Sequence, residues 1–323
     1  MSRPDLEYVL PLRWSADADL ADLTGYLAEL ARSIDVTVVD GSDPEAFRRH
    51  HEAWAGTVRH VRPQPWPGRN GKVRNVVSGV RLARHPLVVV ADDDVRWAPD
   101  ELDRLPGLME GVDLLVPQNV FTSWPWHARW DTARQLVNRA GPGDYPGTLV
   151  VRRDRLAPDG YEGDVLFENL ELIRTIKDRG GVVRRAPWLY VGRRPPSAAH
   201  FWSQRVRQAY DDFAQPGRLA TEAGLLPLLL VLCLRRPRAL VGLALAAVLV
   251  AEAGRRRAGG TSRFPASSAW WAPVWFAERA VCVWLAIGRR LTGGVRYGDG
   301  RIVHAATPRR RRSSLRAERT IDA

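Results

Sequence analysis

Residues 87–94 read LVVVADDD, and this stretch decides the fold class of the chain. A continuous run of Leu and Val is typical of a strand that is buried on both faces of a sheet. Three aspartates follow at once, so the alternate residues Asp92 and Asp94 both fall just beyond the strand. Two such carboxylates suit a hard divalent cation, Mg²⁺ or Mn²⁺, that takes its remaining ligands from water and a diphosphate. An acidic turn that only caps the next element is the alternative interpretation.

The same arrangement occurs earlier in the chain. Residues 36–42 read VTVVDGS, so a second β-branched strand also ends in an acidic turn, at Asp40. Between residues 20 and 30, leucines recur at helical spacing. Strands that alternate with amphipathic helices predict an α/β fold, with a mostly parallel sheet covered by helices on both faces. Ligands of such sheets bind at the carboxyl ends of the strands, where both acidic turns lie.

Composition narrows the class of protein. The chain has 323 residues, of which 45% are apolar, so most of it is expected to fold compactly. Only two cysteines occur, Cys233 and Cys282, which excludes a disulfide scaffold and a cysteine-type zinc site. The first residues lack the pattern of a secretory signal, so the chain is expected to begin in the cytoplasm.

The basic residues are unevenly distributed. Lys plus Arg number 48 against 36 acidic residues, a balance that raises nucleic acid as a partner. Much of the excess lies beside the apolar segments of the second half and in the tail at Arg309–Arg312, whereas residues 1–120 are nearly balanced. That distribution is typical of a protein at a membrane edge, so we expect a membrane as partner and no nucleic acid.

Three apolar segments follow residue 215. Residues 223–234 and 239–251 carry no charge and are separated by Arg235-Arg236-Pro237-Arg238, and residues 269–288 are interrupted by Glu278-Arg279. None reaches the roughly 18 uncharged residues of a secure transmembrane helix. We predict a membrane-associated helical region over 216–290 and a basic, disordered tail over 291–323. A buried helical core is the alternative, and a re-entrant pair at 223–251 would suit the arginines that flank every segment.

Three further motifs carry polar side chains. Residues 71–75 read GKVRN before the acidic strand, residues 167–172 read FENLEL at the start of a predicted helix, and residues 204–208 read QRVRQ. The loop at 68–72 lacks the spacing and terminal hydroxyl of a phosphate-binding P-loop, and no GxGxxG opens the first helix. A P-loop NTPase and a Rossmann dehydrogenase are therefore disfavoured.

With these motifs, residues 6–215 resemble the inverting GT-A glycosyltransferases of family two, which include cellulose, hyaluronan and ceramide glucosyl transferases. The resemblance implies a GT-A domain over 1–215 that binds a nucleotide-diphosphate sugar through Asp40, Lys72 and Asp92. It implies that Asp92 approaches the ribose or nucleotide, and that the metal is held at Asp92 and Asp94.

The chain departs from the family pattern in two places. The family has Glu-Asp before the amphipathic helix, whereas Asn169 stands here in the place of Asp, and an amide cannot accept a proton. The catalytic base is then Glu168 or the nearby Asp164, or it is absent, with Asn169 left to hydrogen-bond the acceptor. The family motif QxxRW keeps Gln204 and Arg207, which can meet a diphosphate or acceptor, but Gln208 replaces Trp.

The function that these residues predict is transfer of a sugar from a nucleotide-diphosphate donor to a hydroxyl acceptor, with inversion and with a divalent metal. A lipid or lipid-linked glycan is the expected acceptor, at the cytoplasmic face of the cell membrane. A nucleotidyltransferase shares the sheet and the acidic site, and is the alternative within enzymes. A degenerate transferase that acts as a membrane scaffold or sugar-nucleotide sensor is the alternative outside them.

Overall fold

The computed structural model describes residues 4–14, 19–298 and 300–308. The chain forms two compact units, and each takes segments from separate parts of the sequence. The first unit comprises Met1–Pro117, Pro146–Ala186 and Thr307–Ala323, and the second comprises Gln118–Tyr145 and Pro187–Ala306. The second unit therefore draws on both sides of the predicted boundary at residue 215.

The regular elements follow the alternation that the sequence predicts. The strands are β1 (Leu6–Leu12), β2 (Asp35–Asp40), β3 (Arg59–Val61), β4 (Leu87–Ala91), β5 (Val95–Arg96), β6 (Leu114–Phe121), β7 (Thr148–Arg152), β8 (Val183–Arg193), β9 (Val295–Tyr297) and β10 (Gly300–Ile302). The α-helices are α1 (Leu20–Leu30), α2 (Pro44–Trp54), α3 (Gly71–Leu82), α4 (Pro99–Asp103), α5 (Leu105–Leu108), α6 (Trp126–Ala140), α7 (Arg153–Leu156), α8 (Glu168–Asp178), α9 (Ala198–Tyr210), α10 (Pro216–Arg235), α11 (Pro237–Arg256) and α12 (Ala272–Leu291). Short 3₁₀ helices lie at Asp211–Ala214, Arg257–Ser262 and Ala266–Trp271.

The first unit is built on a mostly parallel sheet. Its strands follow the spatial order β3-β2-β1-β4-β7-β6. The pairs β1–β2, β1–β4 and β2–β3 are parallel, whereas β7 runs antiparallel to both β4 and β6. All the residues of β1 and β4 are buried, as the apolar runs predict for central strands. The predicted α/β, GT-A-type architecture is therefore confirmed.

The acidic turns lie at one edge of this sheet. Because β1, β2 and β4 are parallel, Leu12, Asp40 and Ala91 all stand at the carboxyl ends of neighbouring strands. In α3, Asn75 donates through its Nδ2 to the carbonyl oxygens of Leu12 (2.8 Å) and Val39 (3.2 Å). This amide ties the ends of β1 and β2 to the helix that carries Lys72.

The second unit is helical around a small apolar core. Residues from α6, β8, α11, α12 and the segment between α11 and α12 pack together there: Ala133, Leu136, Tyr190, Ala247, Ala251, Phe264, Ala269, Ala272 and Trp275. The charges that interrupt the third apolar segment point into this unit, because Glu278 lies 3.7 Å from Arg205 and Arg279 lies 3.2 Å from Asp212. Of the helices in the described ranges, α10 and the helix that starts at Pro237 are long and apolar enough to cross a membrane by length and composition.

The predicted tail contains regular structure in its first part. The strands Val295–Tyr297 and Gly300–Ile302 form the antiparallel pair β9–β10. The backbone N–H of Thr307 donates a hydrogen bond to Oε2 of Glu171 on α8 at 2.9 Å, within the first unit. The rest of the tail, residues 309–323, lies outside the described residues.

Candidate active site

The acidic residues after β4 are fixed by the strand beside them. Asp92 donates its backbone N–H to the carbonyl oxygen of Gly147, just before β7, at 2.9 Å. A side chain at residue 147 would collide with Asp92, since a Cβ there would lie 2.6 Å from Oδ2. Gly147 therefore lets the Asp92 carboxylate lie against the neighbouring strand at the sheet edge.

Lys72 joins this carboxylate to the predicted base. Its Nζ lies 2.6 Å from Oδ1 of Asp92 and 2.7 Å from Oε1 of Glu168. The Glu168 side chain is only 9% exposed, and those of Lys72 and Asp92 are 21% and 23% exposed. Three residues predicted from three separate motifs thus meet in one half-buried cluster.

Two loops must touch for this cluster to form. Gly68 has a φ of +103°, and a Cβ on it would come within 2.2 Å of the backbone of Gly163. Asn70 caps α3 by accepting from the backbone N–H of Lys72 at 3.0 Å, and its Nδ2 donates to the carbonyl oxygen of Val165 at 2.8 Å. The start of α3, which carries Lys72, is therefore bonded to the loop that leads into α8 and Glu168.

The electrostatics of the cluster favour charged side chains. Burial by itself would lower the pKa of Lys72, but Asp92 and Glu168 outweigh it and hold that pKa well above its usual value. Lys72 therefore stays protonated. Glu168 is also the first residue of α8, where the helix dipole favours a carboxylate.

The three aspartates of the turn have different surroundings. Asp93 accepts a short hydrogen bond from the indole N–H of Trp14. Asp92 is held by Lys72, and Asp94 follows in the same turn, half-buried. In the described part of the chain, no group of three or more His, Cys, Asp or Glu side chains is placed to hold a metal ion. Asp92 and Asp94 are hard oxygen donors, and they fit Mg²⁺ or Mn²⁺ if water and a diphosphate supply the other ligands.

The side chain of Asp40 is fully buried. Its carboxylate accepts from the backbone N–H of Ser42 at 2.8 Å, and it also contacts Nδ1 of His50 (2.6 Å) and Nε2 of His60 (3.2 Å). Burial would raise the pKa of Asp40, but these hydrogen bonds outweigh burial and hold it well below its usual range. A contact between Asp40 and a nucleotide stays a prediction.

Asn169 and Asp164, the two other polar residues assigned to this region, make different contacts. Asn169 donates through Nδ2 to the carbonyl oxygen of Pro146 at 3.0 Å, next to Gly147. Asp164 accepts from the backbone N–H of Arg69 at 3.1 Å, and its side chain is half exposed. Asn169 thus braces the strand edge under Asp92, and Asp164 braces the loop before α3.

Gln204 and Arg207 belong to the second unit. Both lie on α9, where Nη1 of Arg207 is 3.5 Å from Oε1 of Gln204 and its guanidinium lies over the ring of Tyr297 at 5.2 Å. A role for either residue in binding a nucleotide sugar stays a prediction.

Several residues of this region were not predicted from the sequence. Trp14 spans the acidic turns, since its backbone N–H donates to Oγ of Ser42 at 2.8 Å and its indole reaches Asp93. Its place just after β1, at the carboxyl edge, is the signal that could have identified it. The histidines around Asp40 and the glycine at 147 had no such signal, because their contacts join residues from distant parts of the chain.

Comparison with known proteins relates part of the chain to a protein family. Residues 20–153 match the family model described as glycosyl transferase family 2. No curated protein sequence matches the chain.

One solved structure shares the fold, and a second is less similar. A mannosyltransferase from Pyrobaculum calidifontis, in complex with GDP-Man and Mn²⁺, is 20% identical, covers 87% of each chain and superposes with a TM-score of 0.51. A glucosyl-3-phosphoglycerate synthase from Mycobacterium tuberculosis is 20% identical, covers 60% of this chain and 72% of its own, and has a TM-score of 0.41. At such identity the first likeness is one of fold. The family match over residues 20–153 and this shared fold together identify that part of the chain as a glycosyltransferase family 2 domain of the GT-A type.

Proposed function

We propose that the chain transfers a sugar from a nucleotide-diphosphate donor to a hydroxyl acceptor, with inversion at the anomeric carbon and with a divalent metal. The observation that carries this proposal is the contact of Lys72 with both Asp92 and Glu168. Lys72, the residue implied in donor binding, lies 2.7 Å from Glu168, whereas Asp164 contacts Arg69 in the loop before α3.

Glu168 acts as the general base in this proposal. A carboxylate can remove the proton of the acceptor hydroxyl while the oxygen attacks the anomeric carbon on the side opposite the leaving diphosphate. Lys72 pairs with the Glu168 carboxylate and fixes its direction, and the dipole of α8 favours a negative charge at this position. Asn169 is an amide and cannot accept the proton, but it braces Gly147, against which Asp92 lies.

Asp92 and Asp94 would hold Mg²⁺ or Mn²⁺. Such an ion, when bound, neutralises the negative charge of the leaving diphosphate. Lys72 contributes a further positive charge at the same edge of the sheet, and as a flexible ammonium it suits a phosphate oxygen. The Pyrobaculum calidifontis mannosyltransferase, which was solved with GDP-Man and Mn²⁺, supports a donor of this type.

The acceptor is proposed to be a lipid or a lipid-linked glycan, and the protein to be attached to the cell membrane with its catalytic residues on the cytoplasmic side. The support is the apolar surface of α10 and α11, where Leu230, Leu234 and Leu249 are 56%, 84% and 68% exposed. Apolar area of this extent outside the core is typical of a membrane or protein contact.

Release of nucleoside diphosphate by the purified protein tests the transferase. We expect release from one sugar donor in a panel of UDP, GDP and TDP sugars, with Mn²⁺ present and with added lipid acceptor. Pyrophosphate as the product would indicate a nucleotidyltransferase instead. Stoichiometric nucleotide binding without turnover would indicate the scaffold or sensor.

A further inference from the structure

The second unit exposes two uncharged apolar helical stretches, residues 223–234 of α10 and 239–251 of α11, which we call the apolar helix pair. Within these stretches, the buried residues are Ala247 and Ala251. The large side chains stand in solvent instead: Leu228, Leu230, Val231, Leu234, Val241, Leu245, Leu249 and Val250 are all more than two-fifths exposed. A helix pair that forms the core of a soluble protein would bury these side chains, so this surface needs an apolar environment.

The whole helices have the length and composition to cross a bilayer, but the uncharged stretch of each is shorter than the hydrocarbon layer. Stretches of about 12 and 13 residues extend roughly 18–20 Å as α-helix, against about 30 Å of hydrocarbon. The helices cannot lengthen these stretches at their other ends. In α10, Arg218 and Glu222 pair with each other at 2.8 Å, and Arg218 also pairs with Asp212 at 3.0 Å. In α11, Glu252 pairs with Arg255 at 2.6 Å.

Arginines mark the point where the two stretches meet. Arg235, Arg236 and Arg238, which we call the arginine corner, are exposed, and residues 223–251 contain no acidic residue. Among the contacts of the described residues, no ion pair or side-chain hydrogen bond involves any of these arginines. Guanidinium groups in the middle of a bilayer are costly, whereas phosphate groups at its surface bind them well.

Charges therefore lie at both ends of each apolar stretch. Because each stretch is shorter than the hydrocarbon layer, its two charged ends cannot reach opposite surfaces of the bilayer, and both need the headgroup region of the same leaflet. Helices that lie along the plane of the membrane satisfy this requirement, and helices that enter it end-on do not. The 3₁₀ helix before α12 adds Trp270, which is 66% exposed, and α12 adds Trp284, whose indole donates to the carbonyl oxygen of Ala223. Tryptophan favours the boundary between headgroups and hydrocarbon.

We propose that the apolar helix pair lies in one leaflet of a membrane that contains anionic phospholipid, with the arginine corner bound to the headgroups of the same leaflet. The proposal rests on the membrane attachment proposed above and makes it specific: the chain is attached to one face and does not span. The partner is a phospholipid surface, chosen over a second copy of the chain because the corner is uniformly positive and would repel its own kind.

Flotation with vesicles tests the choice of lipid. The full chain should float with vesicles of phosphatidylcholine and phosphatidylglycerol, and bind vesicles of phosphatidylcholine alone more weakly. The variant R235Q/R236Q/R238Q should bind the anionic vesicles about a hundredfold more weakly, from a contribution of about fivefold for each arginine at an anionic surface. The matched control R32Q/R48Q/R104Q removes three exposed arginines of the first unit and should bind as the parent does.

Chemical labelling tests the single leaflet. In a C233A/C282A background, P237C places the only thiol at the arginine corner. A membrane-impermeant maleimide added outside vesicles that have bound the protein should label this thiol fully without detergent. Labelling that requires detergent would show that the corner has crossed the bilayer, and it would overturn the proposal.

Two more results would overturn it. One is equal binding of the triple variant and the parent to anionic vesicles. The other is a stable detergent-free dimer that does not bind vesicles, which would assign the apolar helix pair to a second copy. Near-identical circular dichroism and melting temperatures for all variants exclude misfolding as the cause of a loss. Because flotation needs no sugar donor, failure here leaves the transferase proposal standing, and absence of diphosphate release leaves this one standing.

Discussion

The role of Asp94 in metal binding can be tested with the neighbouring Asp93 as the control. Replacing Asp94 by Asn keeps the side-chain volume and removes the charge that would hold a divalent cation, so we expect Mn²⁺-dependent diphosphate release to fall at least about a hundredfold. Asp93→Asn is the matched control, because the Asp93 carboxylate accepts from Trp14 and is not assigned to the metal. Titration of Mn²⁺ against the initial rate checks both variants. Near-normal activity and metal dependence in Asp94→Asn would show that residues 87–94 form only a strand that ends in an acidic turn, without a metal site.

The proposed base, Glu168, stands next to Asn169, where the chain departs from the family pattern. Loss of one general base lowers a rate by about a hundredfold to ten-thousandfold. We expect Glu168→Gln to lower turnover by this amount with donor affinity little changed, and Asn169→Asp to be tolerated. Turnover is measured by diphosphate release and donor affinity by calorimetry.

Asp164→Asn is the control for that experiment. Asp164 contacts Arg69 in the loop before α3, so its loss should affect turnover only slightly. Full activity in Glu168→Gln beside an inactive Asp164→Asn would transfer the role of the base to Asp164.

Asp40 makes a pH-dependent contribution to stability. Its hydrogen bonds to Ser42, His50 and His60 hold its pKa below the value of about 3.9 for an unfolded chain. A carboxyl group with a lowered pKa stabilises the fold above the unfolded value, and this contribution is lost as the pH falls through the folded value. We therefore expect the difference in unfolding free energy between the parent and Asp40→Asn to shrink between about pH 5 and pH 2. Urea unfolding at a series of pH values measures it, and a difference that does not change with pH would contradict the assignment.

At the scale of elements, the cap of α3 serves both stability and the site. Removing an N-cap side chain costs about 1 kcal/mol of stability. Asn70→Ala should show this cost and also lower turnover, because Asn70 bonds the start of α3 to Val165, ahead of Glu168. Asp43→Ala is the matched control, since Asp43 caps α2 in the same unit by accepting from the backbone N–H groups of Glu45 and Ala46. Equal losses of stability with equal turnover would show that the α3 cap has no part in positioning.

The elements also show which parts of the structure can be predicted from the sequence. The strands β2 and β4 and the helix α8 were predicted because apolar period and turn residues are local signals. The meeting of Lys72 with Glu168 was not, since it depends on the approach of Gly68 to Gly163, and those glycines lie far apart in the chain. The contacts of Asp40 could not be predicted either, because its partners His50 and His60 lie on the separate elements α2 and β3.

At the scale of the whole molecule, the helices after residue 215 complete the core of helices before it. Leu136 on α6 packs with Ala251 and Trp275. The backbones of α6 and α11 lie so close that a Cβ on Gly254 would meet the carbonyl oxygen of Leu136 at 1.9 Å. A family domain can therefore end in sequence before the fold is complete.

Arg139 shows the same dependence in its hydrogen bonds. This buried residue of α6 donates to the carbonyl oxygens of Gly254 (3.2 Å) and Arg257 (2.6 Å), which both come after residue 215. Within 118–193 it also donates to Gln118, Pro187 and Tyr190. A buried charge that loses part of its hydrogen bonding is strongly destabilising.

We therefore predict that a chain cut after residue 215 will not fold in its α6 region. Such a chain keeps the family match at 20–153 but exposes Leu136 and leaves the Arg139 guanidinium with fewer acceptors. Hydrogen exchange of residues 126–140 should be fast in it, and size-exclusion chromatography should show aggregates. A chain cut after residue 308 is the control, because it keeps every helix and strand of the described residues and loses only the basic tail. If residues 1–215 instead form a monodisperse monomer with slow exchange in α6, then α10–α12 are an appendage of the fold and not part of its core.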